Sequence, residues 1–93
     1  MAYADEQSYE EMITALQNFM TQVSDNCDIM ESAGKDCVDN TDNDPAAVKG
    51  NEKLGACIKR IRGTLGTVQT VIAGLQQELE DIRRAAARAN SAD

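Results

Sequence analysis

From Leu54 to Ala89 the apolar residues fall at Leu54, Ile58, Ile61, Leu65, Val68, Ile72, Leu75, Leu79, Ile82, Ala86 and Ala89. The steps alternate between four and three residues throughout. A strand cannot satisfy that pattern, because its side chains repeat every second residue, so the stretch predicts one long helix with a heptad seam. A second seam lies upstream at Tyr9, Ile13, Leu16, Met20, Val23, Cys27, Met30, Gly34 and Cys37, with Met12 and Phe19 widening the stripe. Between the seams, Val38-Asp39-Asn40-Thr41-Asp42-Asn43-Asp44-Pro45 is rich in turn formers and has no apolar period. Two amphipathic helices joined by so short a link predict an all-α, antiparallel two-helix hairpin.

The expected boundaries follow from capping chemistry. Met1 to Gln7 reads as a loose lead-in. Ser8-Tyr9-Glu10-Glu11 fits a capping box at the start of helix one, with Asp5 as an alternative cap one turn earlier. Helix one then spans about 8–37, weakening near Ser32-Ala33-Gly34, where helix propensity falls. The acidic turn occupies about 38–44. Asp44-Pro45 reads as the N-cap and first residue of helix two, because proline's missing donor is harmless there. Helix two spans about 45–90, and residues 1–93 form a single helical-hairpin domain. Placing the turn near Thr41 and Asp42 pairs residues whose numbers add to about 84, give or take one turn. Met30 then meets Leu54, Val23 meets Ile61, Leu16 meets Val68, and Cys27 lies beside Cys57. The hairpin seam comprises Ile13, Leu16, Met20, Val23, Met30, Leu54, Ile58, Ile61, Leu65, Val68, Ile72 and Leu75.

Charge supports the same folding-back. The first forty-four residues carry eleven acids and one base, and the remainder five acids and eight bases. The inferred register brings Asp25 near Lys59 and Arg62, Glu31 near Lys53, and Asp36 near Lys49. Exposed pairs contribute only ~0–1 kcal/mol each, so they select orientation more than they stabilise.

Helix two outruns helix one, at ~67 Å against ~45 Å by a rise of 1.5 Å per residue. Leu79, Ile82, Ala86 and Ala89 are therefore expected beyond the end of helix one, against a second chain or fraying. A 93-residue domain with an aliphatic core is also marginal alone, at ~3–5 kcal/mol. Small residues on the back of helix two, at Gly63, Gly66, Thr67, Thr70, Ala73 and Gly74, would let another helix approach closely. Glycine inside a helix costs roughly 1 kcal/mol relative to alanine, so this face calls for a reason. The expected partner interface is Gly63, Gly66, Thr70, Ala73, Gly74, Leu79, Ile82 and Ala86. Two hairpins pairing there would make a four-helix bundle, as a homodimer or with another helical protein. Tolerated weak spots or a hinge are the alternative.

Several classes of function are disfavoured. The net charge of −7 repels nucleic acid and anionic membrane surfaces. No basic start followed by an apolar core opens the chain, and the longest uncharged run, Gly63 to Gln77, is too short for a bilayer, so synthesis in the cytoplasm without a cleavable signal peptide is expected, with leaderless export open. The chain has no His, which removes the usual general base and the Glu-x-x-His of di-iron bundles. No catalytic residue, cofactor, metal site or small-molecule substrate is expected. The turn lacks the Gly and the distal Glu of a calcium loop. Glu6 with Glu10, and Glu78 with Asp81, read as solvated faces. Arg83, Arg84 and Arg88 are too few for a nucleic-acid footprint and suit an acidic segment or the helix C-terminus. Cys27, Cys37 and Cys57 make an odd count without Cys-x-x-Cys spacing. Free thiols are the first reading, and a Cys27–Cys57 disulfide formed after export is the alternative.

The whole stretch from Ser8 to Ala89 resembles the small acidic helical hairpins of bacterial type VII secretion, the WXG-like or ESX-type proteins. Here Asn40-Thr41-Asp42-Asn43-Asp44-Pro45 stands where that family carries Trp-x-Gly, and no Tyr-x-x-x-Asp/Glu signal follows helix two. The resemblance implies a Trp-less relative, a secretion substrate or an escort of a larger secreted effector, paired as a homodimer or heterodimer. Asp44-Pro45 is also similar to the turn of type III secretion needle subunits, although those end in an apolar helix and this chain in the charged segment Glu78–Arg88. A cytoplasmic adaptor or regulator with no secretion role is the remaining alternative.

Overall fold

A computed structural model describes the backbone of residues 2–91 and the side chains of 5–90. Met1, Ala92 and Asp93, which the expected lead-in and domain limits include, lie outside the described residues. The chain is all-helical: α1 runs Ala2–Asn40 and α2 runs Pro45–Ser91, packed against each other as a hairpin.

The turn is built by local hydrogen bonding. Asn43 N–H donates to the Val38 carbonyl at 3.0 Å and Asp42 N–H to the Asp39 carbonyl at 3.3 Å. This is the paired closure of a Schellman motif, with Asp42 in the left-handed position that glycine usually fills. Asp42 and Asn43 both have positive φ, 53° and 62°, a region that short polar side chains tolerate better than others. Thr41 Oγ1 donates to the Cys37 and Val38 carbonyls at 2.8 and 3.2 Å, occupying more of the last-turn acceptors. Asp44 then caps α2, its Oδ1 accepting from Ala46 N–H at 2.9 Å, with Pro45 as the first helical residue.

The start of α1 differs from expectation. Ser8 lies inside the helix, which begins at Ala2, so the capping box does not mark its end. Residues 2–11 are mostly good helix formers, and Glu6, Tyr9 and Glu10 all reach α2. Those tertiary contacts outweigh the local N-cap signal. The expected weakening at Ser32-Ala33-Gly34 does not appear either. The helix is continuous there and Gly34 is buried.

The packing falls into two compact units. The turn-side unit, Met20–Gly66, buries Cys27, Gly34 and Ile58. At Gly34 the helices approach closely: a Cβ added there would overlap Asn51 Oδ1 and lie 3.0 Å from Leu54 Cδ2. Gly34 and Leu54 have numbers adding to 88, at the upper limit of the expected 84 give or take one turn, so the individual pairs shift by one turn. The reason is the seam itself. Each helix has two alternating kinds of stripe residue, and knobs of one kind fill holes beside the other when the numbers add to 88 or differ from it by a whole heptad; the Gly34–Leu54 contact selects 88. An 84 register sets like against like. The other unit, residues up to Phe19 with Thr67 onward, buries Ile13, Ile72 and Leu79. Every expected seam residue is buried or half-buried within its own unit.

Candidate functional site

Among the described residues no group of three or more Cys, Asp, Glu or His side chains is placed to hold a metal, and no buried polar side-chain atom lacks a hydrogen bond. No helix among them is long and apolar enough to cross a membrane. What the structure offers instead is a set of helix surfaces, and the two flanks of the seam differ in chemistry.

One flank is ionic. In the turn-side unit Arg62 bridges Asp28 at 2.8 Å and Glu31 at 3.1 Å. This replaces the expected partners, Asp25 for Arg62 and Lys53 for Glu31, and follows from the one-turn shift in register. In the other unit Arg83 Nε donates to Glu6 Oε1 at 2.6 Å, and Arg83 Nη2 pairs with Glu10. The acidic segment that Arg83 captures is thus the chain's own N-terminal stretch. Hydrogen bonds to Asp28 and then Glu31 hold the Arg62 guanidinium further above its ordinary range, and Glu6 does the same for Arg83. Arg62–Glu31 and Arg83–Glu10 each have numbers adding to 93, the separation expected when flank residues one position after a stripe residue face each other across a register of 88.

The other flank is largely apolar in the unit that holds Phe19. Met12 and Phe19 each precede a stripe residue by one, as does Val71 on α2. They are 42, 49 and 48% exposed. In an antiparallel pair these positions share a flank, opposite the Arg83–Glu10 side. At its open end this flank closes with a hydrogen bond from Tyr9 Oη to Glu78 Oε2 at 2.5 Å. That bond, and next the charge of Glu78, raise the phenol above its ordinary value of 10.0. In the turn-side unit Ile29 is 65% exposed, standing on α1 outside the seam.

The expected partner interface is placed as follows. Gly63 and Gly66 in the turn-side unit, and Thr70, Ala73 and Gly74 in the other, are exposed. A Cβ at any of the three glycines would meet nothing within 4 Å. Leu79 is different. It is 6% exposed, because the register of 88 sets it opposite Tyr9, inside the expected helix one, where a register of 84 would set it opposite residue 5. Ile82 and Ala86 are half-buried and Ala89 exposed, so the uncovered end is shorter than expected. The structure does not join Cys27 to Cys57: Cys27 is buried, Cys57 is exposed, and both are free thiols, as is exposed Cys37. In the observed register Cys27 lies with Ile61.

Met12 and Phe19 are legible in the sequence as part of a wider stripe, but not as a separate flank, and Val71 is not singled out by the seam at all. The available signal is the repeated apolar residue one position before a seam residue in both helices. Comparison with protein-family models, with curated proteins and with solved structures returned no match to this chain.

Proposed function

We propose that this chain is a non-enzymatic interaction protein that works by laying one face of its helical hairpin against another helical protein, as a substrate or escort in type VII secretion. The carrying observation is its uncovered surface. Among the described residues Met12, Phe19, Ile29 and Val71 are 42, 49, 65 and 48% exposed. The apolar side chains on that surface, Met12, Phe19, Ile29 and Val71, stand on helix faces, the form of surface that helix-in-groove and bundle contacts use.

The secretion part of the reading rests on likeness of architecture: an acidic two-helix hairpin of about this length, joined by a short polar turn. On this reading the chain is made in the cytoplasm and exported from it. The test is to follow the tagged chain in the culture supernatant of its own source cell, with and without the gene for the type VII membrane ATPase. Supernatant protein that disappears with the ATPase supports the reading. Protein retained in the cells of both strains removes secretion from it.

A further inference from the structure

We infer that residues 5–11 of α1 are an ionic latch: Arg83, rather than the apolar seam, holds them against α2, and they release while the rest of the hairpin stays folded, uncovering Leu79 and Ile82. The inference concerns the chain by itself and does not rest on the secretion reading.

The seam of α1 runs out of apolar residues before the helix does. Its four-three steps, continued from Ile13 and Tyr9 toward the N-terminus, place Glu6 at the next seam position. In the register of 88 the layers of this unit are Leu16 with Ile72, Ile13 with Leu75, Tyr9 with Leu79, and Glu6 with Ile82. Ile13, Ile72 and Leu79 are buried, whereas Ile82 is half-buried and shares its layer with a carboxylate. A charge at a seam position forgoes the apolar area that a leucine would bury there, so this layer adds little hydrophobic attachment. The Glu6 side chain is 29% exposed and is not the solvated residue that the sequence suggests.

Its compensation comes from one side chain of α2. Arg83 Nε donates to Glu6 Oε1 at 2.6 Å, and Arg83 Nη2 pairs with Glu10. The adjacent cation, Arg84, is engaged by Glu80 and Asp81 of its own helix at 3.8 and 3.1 Å. Residues 5–11 carry four acids and no base, and α2 adds the carboxylate of Glu78, which accepts from Tyr9 Oη. Without the charge of Arg83, acids oppose acids at this end and Glu6 is left unpaired in the Ile82 layer. The turn-side unit is built differently. There the ion pairs of Arg62 flank apolar layers, Cys27 with Ile61 and Met30 with Ile58, so attachment outlasts their loss. Segments with few buried apolar contacts and solvent-exposed polar ones are those that open locally below the global transition.

The experiment is amide hydrogen exchange of the full chain, followed by NMR. The amides of Tyr9 to Ile13 bond within α1 to the carbonyls of residues 5–9, so they report on the latch, and the amides of α1 in the turn-side unit serve as the reference. Arg83→Met keeps an aliphatic stem and removes the charge. It should speed exchange of the latch amides by about 5- to 30-fold, the range for losing two exposed pairs, and leave the reference amides near their wild-type rates. Raising salt to about 1 M should speed the wild-type latch in the same direction. Glu6→Leu fills the layer with Ile82, so it should slow latch exchange below wild type and remove most of the response to Arg83→Met. Circular dichroism checks that each variant remains helical. Latch amides unchanged by Arg83→Met, faster latch exchange in Glu6→Leu, or equal acceleration of latch and reference amides would each overturn the inference. None of these outcomes touches ATPase-dependent export, so the secretion reading stands or falls separately.

Discussion

Consider alanine placed at Gly34, and separately at Gly55 or Gly63, three positions inside the same turn-side unit. Helix propensity alone favours each substitution by ~0.8–1 kcal/mol, since alanine has less backbone entropy to lose. At Gly55 and Gly63 the new methyl meets nothing within 4 Å, so the full gain should appear. At Gly34 it would overlap Asn51 Oδ1 and press on Leu54 Cδ2 at 3.0 Å and Asn51 Cγ at 3.2 Å. The amide can swing aside, but both Asn51 and Leu54 are half-buried, and Leu54 belongs to the seam. Overpacking of this kind typically costs about 1–3 kcal/mol, which exceeds the propensity gain and leaves a net loss of ~1 kcal/mol. For a domain of this size a loss of ~1 kcal/mol moves Tm by about 4–8 °C. Thermal and urea unfolding followed by circular dichroism should therefore show Gly63→Ala melting higher, and Gly34→Ala melting lower, than wild type. Equal stabilisation at Gly34 and Gly63 would refute the close helix approach.

Other substitutions probe the turn and the ionic flank. Asp44→Ala removes the acceptor for Ala46 N–H and should cost ~1 kcal/mol in urea unfolding. Asp42→Gly relieves a non-glycine residue at φ 53° and should stabilise by ~0.5–1 kcal/mol, provided the Schellman closure is kept. Arg62→Ala should cost less than ~1 kcal/mol at low salt and almost nothing at about 1 M salt, because its pairs with Asp28 and Glu31 are exposed. For Tyr9 the folded state holds the phenol proton more tightly than the unfolded chain does. Its contribution is thus complete below about pH 10 and is lost as pH rises through the folded value. Ultraviolet titration should show one tyrosine ionising above the ordinary value, and Tyr9→Phe or Glu78→Gln should abolish that late step.

The helices and their inward faces are written in the four-three spacing, because packing an apolar stripe decides helical structure more strongly than any single residue. Three features are not legible there. The register lies a turn away from the one obtained by counting from the loop centre, since that count ignores the interleaving of the two kinds of seam residue. The start of α1 is hidden because Ser8 and Glu11 make a plausible local cap, whereas Tyr9 with Glu78, and Arg83 with Glu6 and Glu10, are contacts between residues some seventy positions apart. The flank carrying Phe19 and Val71 is hidden because an apolar residue beside a stripe looks like core until the neighbouring helix is in place. Gly34 shows the reverse case: a residue that weakens a helix in isolation is the one that lets the partner helix close in.

The most direct test of the account is an NMR measurement of what Gly34 touches. Close approach of the helices in the 88 register predicts nuclear Overhauser contacts from the Gly34 α-protons to the Leu54 methyls and to the Asn51 side chain. A Gly34 with contacts to neither residue would contradict both the register and the hairpin seam built on it.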